Sequence, residues 1–410
     1  MSRTPARPQV LRPAGTPGAP DEHRALSRAS DMERRWLSGA FAELCRIESP
    51  SGHERACAQM VVRELRALGL EVHEDDAGPI AGSDCGNLLA RIPSKDGEIV
   101  RSVLLCAHLD TVPLQAPVDP VLVDRGWENA NDGILGADNK AAVAVLLALA
   151  RHVRSGTSPV EVELLFTVGE EVALAGARAM EISSLRSEFG YVFDHASPIG
   201  EVVMASPTHF RIEASFRGAA AHAGIRPQDG RSAILAASRA VASLPLGRLD
   251  EETTVNVGTI SGGTAMNVVP EHCTVLAEVR SIDGERAETL TAEIVDAVHD
   301  AANLPDCDCD VDVSVQRTFS GYRLSAGSPP VRTANAALRS CGHEPVGISS
   351  GGGSDANALI AGGLPTVNLA NGTERNHEPT ERVSDAALGE MLDVALALLQ
   401  CAADLEPAAV

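Results

Sequence analysis

Histidines and carboxylates recur at one kind of place in this chain: just after a run of apolar residues, or at the start of the helix that follows. His108 and Asp110 end the run Val103-Leu104-Leu105-Cys106-Ala107, and Asp138 follows Gly136-Ala137 at the head of a long apolar stretch. Glu170 and Glu171 come after the strand-like residues 160–168, Asp194 after Tyr191-Val192-Phe193, and His377 in the loop after residues 364–369. Two imidazoles and three carboxylates are enough for two first-row divalent ions if one carboxylate bridges. Imidazole suits zinc, the carboxylate share admits manganese or cobalt, and an all-oxygen magnesium or calcium site fits less well. Such a pair, spaced about 3.5–4 Å, acidifies water and polarises a carbonyl oxygen. Of the adjacent glutamates, one can then ligate while its neighbour acts as general base on the water. His108 and Asp110 are two residues apart on an extended chain and so share a side, where a carboxylate can hold the imidazole N–H that a metal leaves free. Taken singly each group has a plain structural explanation: a hydrogen-bonded strand-end histidine, a helix cap at Asp138, a solvated turn at Glu170-Glu171. Only their convergence argues for chemistry.

The elements that must position them alternate strand with helix, which predicts an α/β fold with a mixed, mostly parallel sheet flanked by helices. Ligands of such sheets bind beyond the C-terminal strand ends, so these residues are expected along one edge. Asp31 is expected to cap an amphipathic helix running to about Ile47; further helices are expected over Ala56 to Leu68, from Gly136 to about Val153, and from about Asp385 to Ala402. The polar stretch from Pro113 to Gly136 is expected as a long loop of the kind that is often functional. The rhythm breaks over 209–316, which is predicted as strand, helix, two strands, helix, strand. That order is a split β-α-β, ferredoxin-like α+β domain with a four-stranded antiparallel sheet, inserted into the first. The expected boundaries are a disordered tail over 1–30, a first catalytic part over 31–207, the insert over 208–316 and a second catalytic part over 317–410.

Composition narrows the function classes. The 410 residues exceed one ordinary core. The net charge of −22, from 56 acidic and 34 basic residues, argues against nucleic acid or an anionic membrane as partner. No apolar run is expected to span a membrane, and Arg34-Arg35 belongs to a helix rather than to an export signal. The nine cysteines show no paired zinc spacing and no signal peptide is legible, so reduced thiols and a cytoplasmic location are expected.

The strings His108-Leu109-Asp110-Thr111-Val112, Gly136-Ala137-Asp138-Asn139-Lys140, Gly169-Glu170-Glu171, Asp194 and Asn376-His377-Glu378 resemble the M20 metallopeptidases, particularly their peptidase T-like branch. The resemblance implies a zinc-peptidase-like fold whose insert is a lid and dimerisation domain. It implies one metal on His108, Asp138 and Asp194, a second on Asp138, Glu171 and His377, Glu170 as general base, Asp110 orienting His108, and a cis peptide at Asp138–Asn139. In the lid, His222 resembles a histidine that helps stabilise an oxyanion, often across a dimer. Asn267 resembles an asparagine that contacts substrate, and Arg280 an arginine whose fork grips a substrate carboxylate. Gly352, in the loop Gly351-Gly352-Gly353, is implied to lie beside the substrate backbone. His195 departs from the small residue expected there. The implied activity is that of an aminopeptidase on di- and tripeptides, with a deacylase or carboxypeptidase on N-acyl amino acids as the nearest rival. A non-catalytic binding protein on this fold would show damaged ligands or no base, and this sequence shows neither.

Overall fold

The computed structural model describes residues 28–95 and 101–405. In chain order the first elements are α1 (Asp31–Cys45), α2 (Arg55–Ala67), β1 (Val72–Glu74), α3 (Gly78–Ala81), β2 (Leu88–Ile92), β3 (Ser102–His108), β4 (Pro120–Val123) and β5 (Gly126–Asn129). There follow α4 (Ala137–Thr157), β6 (Glu161–Thr167), α5 (Ala175–Ala179), β7 (Phe189–His195) and β8 (Glu201–Ser206). The insert supplies β9 (Thr208–Arg217), α6 (Ala233–Ser243), β10 (Gly247–Arg248), β11 (Thr253–Gly262), β12 (His272–Ser281), α7 (Gly284–Ala302) and β13 (Asp310–Phe319). The return holds β14 (Tyr322–Arg323), α8 (Pro329–Cys341), β15 (Val346–Ser349), α9 (Asp355–Ala361), β16 (Thr366–Ala370), β17 (Thr373–Glu374), β18 (Arg382–Ser384) and α10 (Asp385–Ala403).

The main sheet runs β1-β2-β6-β3-β7-β16-β8-β14, with β15 also on β8. Its middle, β6-β3-β7-β16, is parallel throughout. Every residue of β3 and β6 is buried, as a parallel strand covered on both faces requires. One covering layer is α4, whose residues Ala141–Ala150 are at most 2% exposed, together with α1, α8 and α10. On the opposite face Leu104, Cys106, Leu165 and Val192 pack against Leu359 of α9. The helix α10 is long and apolar enough to cross a membrane by length and composition, a property the sequence was not expected to show; 56% of its apolar window is buried inside the protein.

The insert folds on its own sheet, β10-β11-β12-β9-β13, one strand more than expected because the two-residue β10 adds to the edge. Along β9 the residues Phe210, Ile212, Ala214 and Phe216 are buried, those from Ala214 on beneath α6 and α7, while His209, Arg211 and Glu213 point the other way. The last strand, β13, continues to Phe319, three residues past the expected end at 316. The stretch expected as a polar loop contains the hairpin β4–β5, which joins β18 and β17 in a small antiparallel sheet. Strands of two to four residues carry too few alternations to be read from periodicity. At the start of α1 the cap is Ser30, in a capping box with Glu33, and Asp31 lies in the first turn. The tail expected over 1–30 lies outside the described residues except for 28–30, which are packed: the Ala29 N–H donates to Asp393 Oδ1 at 3.2 Å and Arg28 donates to the Ser340 carbonyl.

Candidate metal centre

The strand ends bring six groups to one place. His108, at the end of β3 and 1% exposed, has Nε2 at 3.2 Å from Asp138 Oδ1 and 3.4 Å from Asp194 Oδ1. Asp138 turns its second oxygen to His377 Nε2 at 3.2 Å, and the same nitrogen lies 2.9 Å from Glu171 Oε1. Asp138 is thus common to two groups of possible ligands: His108, Asp138 and Asp194, and Asp138, Glu171 and His377. A third group of close donors, His108, Glu170 and Glu171, puts Glu170 beside both. Ligand atoms on a tetrahedral zinc, at about 2.0–2.1 Å each, stand about 3.3 Å from one another. Three of the four imidazole-to-carboxylate separations just given, at 3.2, 3.4 and 3.2 Å, lie close to that edge length, and the fourth, at 2.9 Å, is shorter.

The electrostatics point the same way. Burial and then the charge of Asp138 push the pKa of Asp194 up to about 8, and burial with the charge of Asp194 pushes Glu170 well above the ordinary carboxylate range. Asp138 is held far below that range, against its own burial, by hydrogen bonds with His108 and His377. So many buried carboxylates cannot all ionise together without added cations. The nitrogen and oxygen donors are those that zinc, manganese or cobalt accept, so the residues fit the implied metal pair. The peptide between Asp138 and Asn139 is cis, as the resemblance implies.

Around these groups lies a layer that holds them. Asp110, which is fully buried, meets His108 Nδ1 twice, with its main-chain carbonyl at 3.0 Å and with Oδ1 at 3.3 Å. It also accepts the N–H groups of Glu170 at 2.9 Å and Glu171 at 3.1 Å and the Ser51 hydroxyl at 2.7 Å. Asp110 therefore fixes the glutamate turn as well as the imidazole. Glu54 accepts the Gly169 N–H at 3.1 Å, Asn139 donates to Asp194, and Asn376 donates to Asp138 Oδ2 at 2.8 Å. Glu381, 1% exposed, accepts N–H groups from the loop that precedes Asp138. Sequence reasoning missed Ser51, Glu54, Asn139 and Glu381. A signal existed for Asn139 and for Asn376, inside the Gly136-Ala137-Asp138-Asn139-Lys140 and Asn376-His377-Glu378 strings.

A cavity of about 1010 Å³ opens between this edge and the lid sheet, with Asp138, Glu170, Glu171, Asp194 and His377 on one wall and His209, Arg211, Arg280 and Phe319 on the other. Gly352 and His195 also line it. Arg280 is engaged within the lid: Nε and Nη2 donate to the two oxygens of Glu278 and Nη1 donates to the Gly351 carbonyl. His222 and Asn267 are elsewhere. His222 is exposed, bridges to Val268 and sits beside Asn267, whose carbonyl accepts the Ala223 N–H at 3.0 Å; neither residue lines the cavity of its own chain.

Comparison with known proteins gives the family. The family description "Peptidase dimerisation domain" of the M20 peptidases matches residues 208–303, and that of peptidase family M28 matches residues 87–222. The uncharacterised protein YqjE of Bacillus subtilis (strain 168) is 34% identical over 90% of this chain and 99% of its own. Among solved structures, aminopeptidase PepT from Bacillus cereus ATCC 10987 is 34% identical with a TM-score of 0.81, over 90% of this chain and 99% of that one. A tripeptidase from Staphylococcus aureus subsp. aureus Mu50 is 31% identical with a TM-score of 0.85, over 91% and 99%. On these residues, this fold and this kinship, the chain belongs to the M20 family of metallopeptidases, in its peptidase T-like branch, and is a peptidase.

Proposed function

We propose that the protein is a dimetal aminopeptidase that releases N-terminal residues from di- and tripeptides. His108, Asp138 and Asp194 would hold one ion and Asp138, Glu171 and His377 the other, with zinc the best fit and manganese or cobalt admitted. When bound, the ions would polarise the scissile carbonyl and acidify water. Glu170 takes a proton from the attacking water and returns it to the departing amine nitrogen; its burial and the neighbouring Asp194 raise its proton affinity, which suits a group that first accepts and then gives. Asp110 holds Glu170 and His108 in register through the contacts described above. Arg280 takes the peptide's terminal carboxylate once Glu278 yields it, and Gly352 lies along the peptide backbone. His222 and Asn267 complete the site from a second copy of the chain. A cytoplasmic location belongs to the same reading, supported by nine free cysteines, seven of them buried.

The observation that carries this reading is the sharing of Asp138 between two ligand groups with Glu170 beside both. The names of the two solved relatives, an aminopeptidase and a tripeptidase, support a free-amino substrate. The test compares a tripeptide with its N-acetyl form on the metal-loaded enzyme. Preferential cleavage of the free amine is expected; faster cleavage of the blocked form replaces the aminopeptidase with a deacylase.

A further inference from the structure

The head of α4 presents an uncommon arrangement. Asp138 stands in the first turn of this helix, where a carboxylate ordinarily turns back to satisfy free N–H groups. Here the Asp138 carboxylate faces His108 and His377 instead, the N-cap residue is Gly136 at φ 76°, and no side chain of the N-cap position accepts a hydrogen bond. A left-handed residue followed by helix turns successive N–H groups inward into a small anion-binding hollow.

Glu381 fills that hollow from 243 residues further along the chain. Its Oε2 accepts the N–H groups of Leu135 at 2.8 Å and Gly136 at 2.7 Å, and its Oε1 accepts that of Asp138 at 2.9 Å. Glu381 is 1% exposed and lies four residues after His377, in the segment whose Asn376 and His377 touch Asp138 Oδ2. One buried carboxylate thereby ties the backbone that carries Asp138 to the loop that carries His377. Burial, and after it the charge of Asp138, push its pKa up to about 7, and the three N–H donors at the positive end of a 21-residue helix work against that rise.

We propose that Glu381 is a positioning residue for the second metal position: by taking over the cap of α4 it frees the Asp138 carboxylate to bridge, and it sets the separation between Asp138 and His377. This rests on the dimetal reading above. The ion held by Asp138, Glu171 and His377 depends on that separation. The ion held by His108, Asp138 and Asp194 depends on it less, because His108 and Asp194 come from adjacent strands of the main sheet.

The test uses Glu381→Gln and Glu381→Asp in the full-length protein, loaded with zinc and then dialysed against graded chelator. Metal per chain is measured by elemental analysis, and cobalt-loaded samples are followed by their d–d absorption. Gln keeps the shape but sets an NH2 group against at least one N–H donor; Asp keeps the charge but falls one methylene short. Both variants should lose one of the two ions about 10–100-fold more readily than wild type, the span usual for groups that orient metal ligands. The cobalt spectrum should lose one component and keep the other. The thermal midpoint of the metal-free variants separates this from a fold effect: a lowered midpoint with unchanged chelator resistance makes Glu381 a helix cap alone and overturns the inference. Wild-type protein that binds fewer than two ions overturns the dimetal reading and this inference together. Two ions in wild type and two equally resistant ions in both variants overturn the inference alone.

Discussion

Glu170 and Asp138 sit within the same cluster yet should fail differently when truncated. Asp138 faces both imidazoles, so Asp138→Ala removes a ligand from each group and should empty the site. Glu170 has its backbone N–H held by Asp110 and belongs to neither group that contains Asp138. Glu170→Ala should therefore keep both ions and lower kcat by about 10²–10⁴-fold, the usual worth of a positioned general base. Metal analysis beside a peptide assay distinguishes the two, and turnover retained in Glu170→Ala removes it as the base. Glu278 supports a residue-scale prediction away from the metals. A hydrogen bond from His209, then hydrogen bonding and charge from Arg280, outweigh burial and hold its pKa at about 2, against an ordinary value of 4.5. A depressed carboxylate pKa contributes stability above its unfolded value and loses it as the pH falls towards the folded one. The side chain is 35% exposed, so screening keeps the effect small. Between pH about 5 and about 2 the thermal midpoint of wild type should fall more steeply than that of Glu278→Gln; equal slopes would count against the assignment.

At the scale of elements, α4 both fills the core and carries Asp138 at its first turn. Leu146 is wholly buried at its centre. Leu146→Ala should cost about 2–5 kcal/mol, read by denaturant unfolding, because a cavity remains where the side chain was. This helix was legible in the sequence, as were β3, β6 and β7, because each carries an apolar run (Ala141–Ala150, Val103–Ala107, Leu164–Phe166 and Tyr191–Phe193) ended by a polar group, even though β6 also buries Glu161 and Glu163. That is why His108, Asp138, Glu170 and Asp194 stand out in the amino-acid sequence by themselves. The acids that hold backbone N–H groups left no such mark. Glu54 serves Gly169 from 115 residues away and Glu381 serves Leu135 from 246, and no local pattern distinguishes either from a solvated surface glutamate. The small sheet of β4, β5, β17 and β18 escaped for a related reason: its two short local pairs, β4–β5 and β17–β18, become one sheet only through a pairing across more than 250 residues, as Val383 makes with Trp127.

The whole molecule leaves one group of expected site residues outside its own cavity, and this bears on assembly. Around His222 and Asn267 the lid exposes Met266 entirely and Ile225 to 70%, with Ile260 at 48%. Beyond Val255, β11 has no partner on its outer side among the described residues, because β10 pairs only with Thr254 and Val255. Unpaired edge backbone beside exposed apolar side chains is the kind of surface a second copy covers. If a two-fold dimer forms through it, each active site takes Glu170 from one protomer and His222 from the other. Complementation then follows. Glu170→Ala and His222→Ala homodimers should each be nearly inactive. A heterodimer of the two holds one site with both substitutions and one with neither. After mixing through reversible dissociation, half the dimers are mixed and half of their sites intact, so activity should recover to about a quarter of wild type. Light scattering should give twice the chain mass of 42.7 kDa. A Met266→Glu variant that scatters as a monomer should lose activity while keeping its metal. A monomeric wild type, or a mixture no more active than its parents, would leave His222 outside the reaction.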